Sequence, residues 1–172
     1  VKKEIVKFIN LILNIFNFRV VGVGTGKVRF EKNMFFNTIE VLESLFFPKD
    51  CLTVFDVGAF EGQFSKAISK KFKKGRYILF EPNQTMVNYM NEKYKCYNWQ
   101  IHSIAISDRV EKSILYKFSE TGSGNSLVKP KENYESSETV ETSTIDTFCE
   151  SNTIQMIDIL KLDIQGNEDK CL

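Results

Sequence analysis

The sequence holds one histidine, and its four cysteines (Cys51, Cys96, Cys149 and Cys171) include no Cys-x-x-Cys pair. The ligand spacing of a zinc centre is therefore missing. A net charge of +1 provides no global field to attract nucleic acid or an anionic membrane. The short basic runs VKKE (1–4) and SKKFKK (69–74) read as solvated helix faces. A long unbroken apolar run is also missing. The most apolar stretch, EIVKFINLILNIFNFRVVGV (4–23), is interrupted by Lys7, Asn10, Asn14 and Asn17, which recur every three or four residues. Their spacing puts the polar groups on one helical stripe, with Ile5, Phe8, Ile9, Ile12, Leu13 and Phe16 largely opposite. A spanning helix needs about 20 mostly apolar residues, so the expectation is an amphipathic helix packed on the protein rather than lying on a membrane. Four unpaired thiols without a secretory leader point to a reducing, cytoplasmic setting.

What is present is the balance of an ordinary globular protein: 172 residues, 42% hydrophobic and 26% charged. The expected division is a helical segment, residues 1–48, packed on an α/β domain, residues 49–172. Helices are expected over 3–17 and 34–47, with a loop and a short extended piece over 19–31. Val1 at the start and GNEDKCL at the end, which reads as the first turns of a helix, suggest a fragment of a longer chain.

The central pattern begins at LTVFDVG (52–58), a β-branched and apolar run suited to a parallel strand buried on both faces. Cys51 beside it reads as a small buried hydrophobe. An amphipathic helix follows (61–73), ended by Gly75, then a second buried strand, RYILFEP (76–82). A helix with Asn83 as N-cap (83–94) and a third strand, WQIHSIAISD (99–108), complete a β-α-β-α-β order. His102, inside that third strand, reads as a core histidine. Strands are further expected at 110–120, extending the sheet or forming a hairpin, at 138–148, leading into a helical turn, and at 156–166, with a polar loop at 121–137. The fold class is therefore α/β, a Rossmann-like parallel sheet with helices on both faces.

In such sheets ligands bind beyond the carboxyl ends of the strands. There stand Asp56, Gly58 and Gly62, where glycine permits a sharp turn and close approach of a ligand. An aspartate repels a pyrophosphate but suits a cationic amino group or sulfonium. Glu81 ends the second strand 19 residues after Gly62 and can accept both hydroxyls of a ribose. S-adenosylmethionine carries both features.

The motifs VFDVGAFEGQFS, LFEPNQ, IAISD, GNSL, STIDTF and ILKLDIQGNE occur in the order found in FkbM-type methyltransferases, which the chain resembles from about residue 53 to 172. The resemblance implies a class I S-adenosylmethionine-dependent methyltransferase, commonly acting on hydroxyls of sugars or natural products. It places Asp56, Gly58, Ala59, Glu61, Gly62, Glu81 and Pro82 around the cofactor, with Asp108 near the adenine and Ala105 and Ile106 flanking the ring. Asp108 alternatively initiates a turn. Asp163 is the candidate general base, with metal ligation or a structural role as alternatives. Gln165 and Glu168 share its rim, and Asn125 and Ser126 are candidates for the acceptor wall. No metal site is expected. The chain departs from the family at Phe60, where members often carry Asn, and it stops after the fourth strand of the motif order. The implied partner is a small-molecule or glycan acceptor. An NAD-dependent oxidoreductase and a non-catalytic module are the competing readings; the first predicts GxGxxG, which GAFEGQ does not match.

Overall fold

The computed structural model describes residues 18–23, 27–32, 36–46, 51–119, 124–131 and 133–171. The chain divides into two units, Val1–Pro48 and Lys49–Leu172. In the first, β1 (Phe18–Val23) and β2 (Lys27–Lys32) form an antiparallel hairpin, with Phe18 opposite Lys32 and Val23 opposite Lys27. The loop and short extended piece expected over 19–31 are thus a two-stranded ribbon. The valines at 20, 21, 23 and 28 supply β-propensity that the glycines of GVGTG masked. Helix α1 (Phe36–Phe46) lies within the expected 34–47. The helix expected over 3–17 falls outside the described residues.

In the second unit β3 (Thr53–Val57), β4 (Arg76–Phe80), β5 (Trp99–His102) and β9 (Ile159–Leu162) make a four-stranded parallel sheet in the order β5-β4-β3-β9. Helices α2 (Gln63–Ser69) and α3 (Gln84–Lys93) follow β3 and β4. Helix α2 ends six residues before Gly75, earlier than expected. Successive strand residues point to opposite faces. Phe55 therefore meets Phe148 of α4 (Ile145–Ser151) on one face, ring centroids 5.9 Å apart. Asp56, its neighbour, meets Ser65 of α2 on the other. The sheet carries helices on both faces, as the apolar runs predict. Phe55, Val57, Ile78 and Phe80 are almost wholly buried in the first-face core, joined by Ile106 and Phe148, and each such aromatic contributes about 2–3 kcal/mol of burial.

The strand expected over 99–108 is two. β5 pairs with β4 only as far as His102, whose carbonyl accepts the Glu81 N–H at 3.1 Å. β6 (Ala105–Ile106) then joins β7 (Lys112–Lys117) and β8 (Ser136–Ser143) in a second sheet, order β6-β8-β7. β4 ends at Phe80, so residues beyond His102 have no ladder partner there and find one at Thr142 and Ser143. Asn83 caps α3 as expected, accepting the Thr85 N–H at 3.0 Å. Cys51 is exposed rather than buried, because the buried run starts one residue later, at Leu52. Among the described residues no helix is long and apolar enough to cross a membrane.

His102 sits between Phe80 and Phe148, with ring centroids 5.8 and 4.9 Å away. Its Nε2 is buried and has no hydrogen-bond partner among the described residues. Burial, and then the charge of Arg76, holds its pKa below the ordinary 6.5. The unfolded chain therefore takes up this proton first, and stability present above pH 6.5 is lost as pH falls below it. His102→Leu removes the orphaned nitrogen. The unfolding free energy from urea denaturation at pH 7 should be unchanged or higher by up to about 1 kcal/mol, and the part of the drop between pH 7 and 5 due to this residue should disappear.

Candidate functional site

The site is built where β3, β4 and β9 end side by side. The register sets Asp56 beside Leu79 on one flank and Lys161 on the other. After Val57 the chain turns at Gly58 (φ +71°). A Cβ on Gly58 would lie 2.1 Å from the Asp163 carbonyl oxygen. The glycine is thus required by backbone meeting backbone between the β3 and β9 ends, in addition to the turn itself. Gly62 is also left-handed (φ +71°), but its α-carbon faces Tyr94, Met90 and Trp99. It therefore serves packing of the helix start.

Asp56 is fully buried. Its Oδ2 accepts the Ser65 hydroxyl at 2.7 Å and the Ser65 N–H at 3.3 Å. Gly62, the N-cap of α2, has no side chain to offer. The Asp56 carboxylate takes over that capping role and places a negative charge at the helix start, where the dipole favours it. Its Oδ1 lies 3.1 Å from the Lys161 ammonium. Both oxygens are therefore engaged inside the protein.

Glu81, only 6% exposed, directly follows β4. Its Oε2 accepts the Phe60 N–H at 2.8 Å and its Oε1 the Asn83 N–H at 3.0 Å. Burial raises its pKa above the ordinary 4.5, against the two backbone hydrogen bonds and the charge of Lys161, with Asp56 adding to the rise. A carboxylate has about four acceptor positions, so these two bonds leave about one on each oxygen unused.

Phe60 itself has φ +51°. A bulky residue in the left-handed region costs about 1–2 kcal/mol, and Asn tolerates it better. Phe60 is half-buried, so replacement also loses packing. Phe60→Asn should denature within about 1 kcal/mol of the parent, whereas Phe60→Ala, which keeps the strain and loses the ring, should be about 1 kcal/mol less stable than the Asn variant.

On the β9 side, the Asp163 carboxylate is 59% exposed and lies 3.9 Å from the Lys161 ammonium. Gln165 (φ +57°) donates its amide to Asp163 Oδ1 at 3.2 Å. Gly166 (φ +97°) borders open space. Glu168 accepts the N–H groups of Ile164 and Gly166, both at 2.9 Å. Those backbone bonds, Ile164 first, hold its pKa below the usual value. Glu168 thus clamps the turn, leaving Asp163 and Gln165 on the open rim. Ser126 is buried and donates to the Gln165 carbonyl at 2.9 Å, tying the GNSL loop to the same turn. Asn125 accepts the Phe118 N–H at 3.1 Å.

The remaining expected residues lie further out. Glu61 turns toward Gln63 and Lys93. Pro82 is half-buried and Ala59 buried. Ala105 and Ile106 are buried in the core. Asp108 is exposed, paired with Arg109 at 3.6 Å, and its neighbour Ser107 accepts the Asn167 amide at 3.3 Å. The structure thus gathers Asp56, Gly58, Glu81, Asp163, Gln165, Glu168 and Ser126 at or beside the strand ends and the turn that follows β9, and leaves Glu61, Asn125 and Asp108 at the margins. Sequence reasoning missed Lys161 and Ser65. The signal for Lys161 was present in ILKLDIQ, since a lysine inside a strand buried in a sheet requires a partner. Among the described residues no three His, Cys, Asp or Glu side chains gather as a metal cage.

The family model for the methyltransferase FkbM domain matches residues 56–172. No curated protein and no solved structure matches the chain.

Proposed function

The chain belongs to the FkbM methyltransferase family, and from that premise we propose that it binds S-adenosylmethionine at the β3–β4–β9 ends and methylates a hydroxyl of a sugar, glycan or small natural product. The observation that carries the reading is Glu81. Its two oxygens are fixed by the Phe60 and Asn83 N–H groups and still have acceptor positions free, which suits the paired hydroxyls of a ribose. The donor set fits a cationic ligand. Glu81 and Asp163 are carboxylates, and the ammonium of Lys161 is engaged by Asp56 and the Gly58 carbonyl. A pyrophosphate finds the start of α2 already capped by Asp56, which disfavours a dinucleotide.

S-adenosylmethionine supplies, when bound, a methyl group already activated on sulfur. The chain's contribution is placement and proton handling. Glu81 holds the ribose. Gly58 and Asp56 hold the loop that fixes Glu81. Asp163, exposed at the rim and steadied by Gln165, accepts the proton of the acceptor hydroxyl as its oxygen is alkylated. Calorimetric titration with S-adenosylmethionine and, separately, with NAD tests this. Saturable binding of the first alone is expected. Binding of NAD, or of neither, overturns the reading.

A further inference from the structure

We propose that Lys161 is a positioning residue whose ammonium group fastens the end of β3 to β9 and thereby holds the loop that presents Glu81. The inference rests on the reading above for its consequence in binding, but its structural claim stands separately. Lys161 is interior to β9, its side chain only 16% exposed. Its ammonium meets three oxygens of the β3 end: Gly58 O at 2.7 Å, Asp56 Oδ1 at 3.1 Å and Val57 O at 3.4 Å. The contacts to Gly58 O and Val57 O are hydrogen bonds, and that to Asp56 Oδ1, which has no hydrogen-bond partner among the described residues, is an ion pair.

A counter-ion for Asp56 would need the carboxylate alone. Here the shortest contact is to a carbonyl, that of Gly58, whose left-handed conformation turns its peptide out of the β ladder. The same loop is held from the other flank by Gly58 N–H and Ala59 N–H, both to Phe80 O at 3.0 Å, and by Phe60 N–H to Glu81. β9 adds the Asp163 N–H, donating to Val57 O at 3.1 Å. Lys161 is thus the side chain that completes the attachment of the loop to β9, as Glu81 completes it to β4. A single Lys161→Met change leaves Asp56 charged, buried and unpaired, and such a protein is prone to unfold. Two charge-balanced variants avoid this. Lys161→Met combined with Asp56→Asn removes both charges and keeps an acceptor for Ser65. Lys161→Arg keeps the charge with a wider, planar donor group that cannot reproduce the three-oxygen contact.

The experiment measures amide hydrogen exchange and S-adenosylmethionine affinity in the parent and both variants. Both variants should melt within several degrees of the parent. Exchange at Gly58, Ala59 and Phe60 should accelerate at least tenfold while Ile78 and Leu79 stay protected, and Kd should rise at least tenfold. Parent-like loop exchange in both variants overturns the proposal and makes Lys161 a counter-ion only. Failure of the parent to bind S-adenosylmethionine overturns the functional reading instead, and the exchange data still decide the role of Lys161.

Discussion

Glu81→Ala is expected to weaken S-adenosylmethionine binding about 100-fold. The substitution removes a charged acceptor for two ribose hydroxyls, and hydrogen bonds to a charged group are worth about 1.5–3 kcal/mol each. Only part of that is lost in net terms, because water replaces the carboxylate in the free protein. Stability should change less than affinity. Two acceptors are lost, for Phe60 N–H and Asn83 N–H, but a buried charge goes with them. The pH dependence separates ligand binding from loop support. Burial lifts the Glu81 pKa above 4.5, partly opposed by its two backbone hydrogen bonds and by Lys161. In the free protein the ionised form is thus the costly one, with stability fuller at low pH and lost as pH rises through the raised pKa. The ribose hydroxyls donate to the ionised form. Affinity should therefore fall as pH is lowered through that raised pKa, at higher pH than an ordinary glutamate would produce, and Glu81→Ala should abolish the dependence. A Kd that moves less than fivefold would restrict Glu81 to holding the loop.

The parallel sheet was legible because its strands announce themselves. VFDVG and YILFEP are apolar on both faces, and only a sheet covered on both sides buries such runs. The strand ends were legible for the same reason, since Asp56, Glu81 and Asp163 are the first acids after each run. What these acids touch was not legible. Asp56 reads as a ligand for a cation, and it does meet one, but the cation is Lys161, placed beside it only by the β3–β9 register. That pairing joins residues more than a hundred positions apart, and periodicity carries no information about it. Ser126 likewise finds its partner 39 positions away, whereas Glu168 acts within its own turn. Both look like polar rim residues, yet both close hydrogen bonds to the backbone of the 163–166 turn. The hairpin of the first unit was missed because a glycine-rich GVGTG weighs toward loop in a local reading, while the pairing of its flanks is a tertiary choice.

Among the described glycines, Gly58→Ala should be the most damaging added methyl group, costing about 3 kcal/mol or more. Two effects combine. At φ +71° an alanine pays about 1–2 kcal/mol for the left-handed region. Its Cβ would also lie 2.1 Å from the Asp163 carbonyl oxygen and 2.9 Å from the carbonyl carbon. These are backbone atoms, and Asp163 is held in turn by its N–H to Val57 O, so relief requires the ends of β3 and β9 to move apart. Gly166 supplies the control. It too has positive φ, +97°, but a Cβ there meets nothing within 4 Å. Gly166→Ala carries the conformational cost alone, about 1–2 kcal/mol. Urea denaturation of the two variants separates strain from contact. A Gly58 loss no greater than the Gly166 loss would mean that the two strand ends part easily and that the 2.1 Å approach is soft. The larger loss at Gly58 would show that the cofactor loop and the Asp163 rim are one rigid unit. Glu81 and the candidate base then keep their separation through the backbone itself, before any side chain is counted.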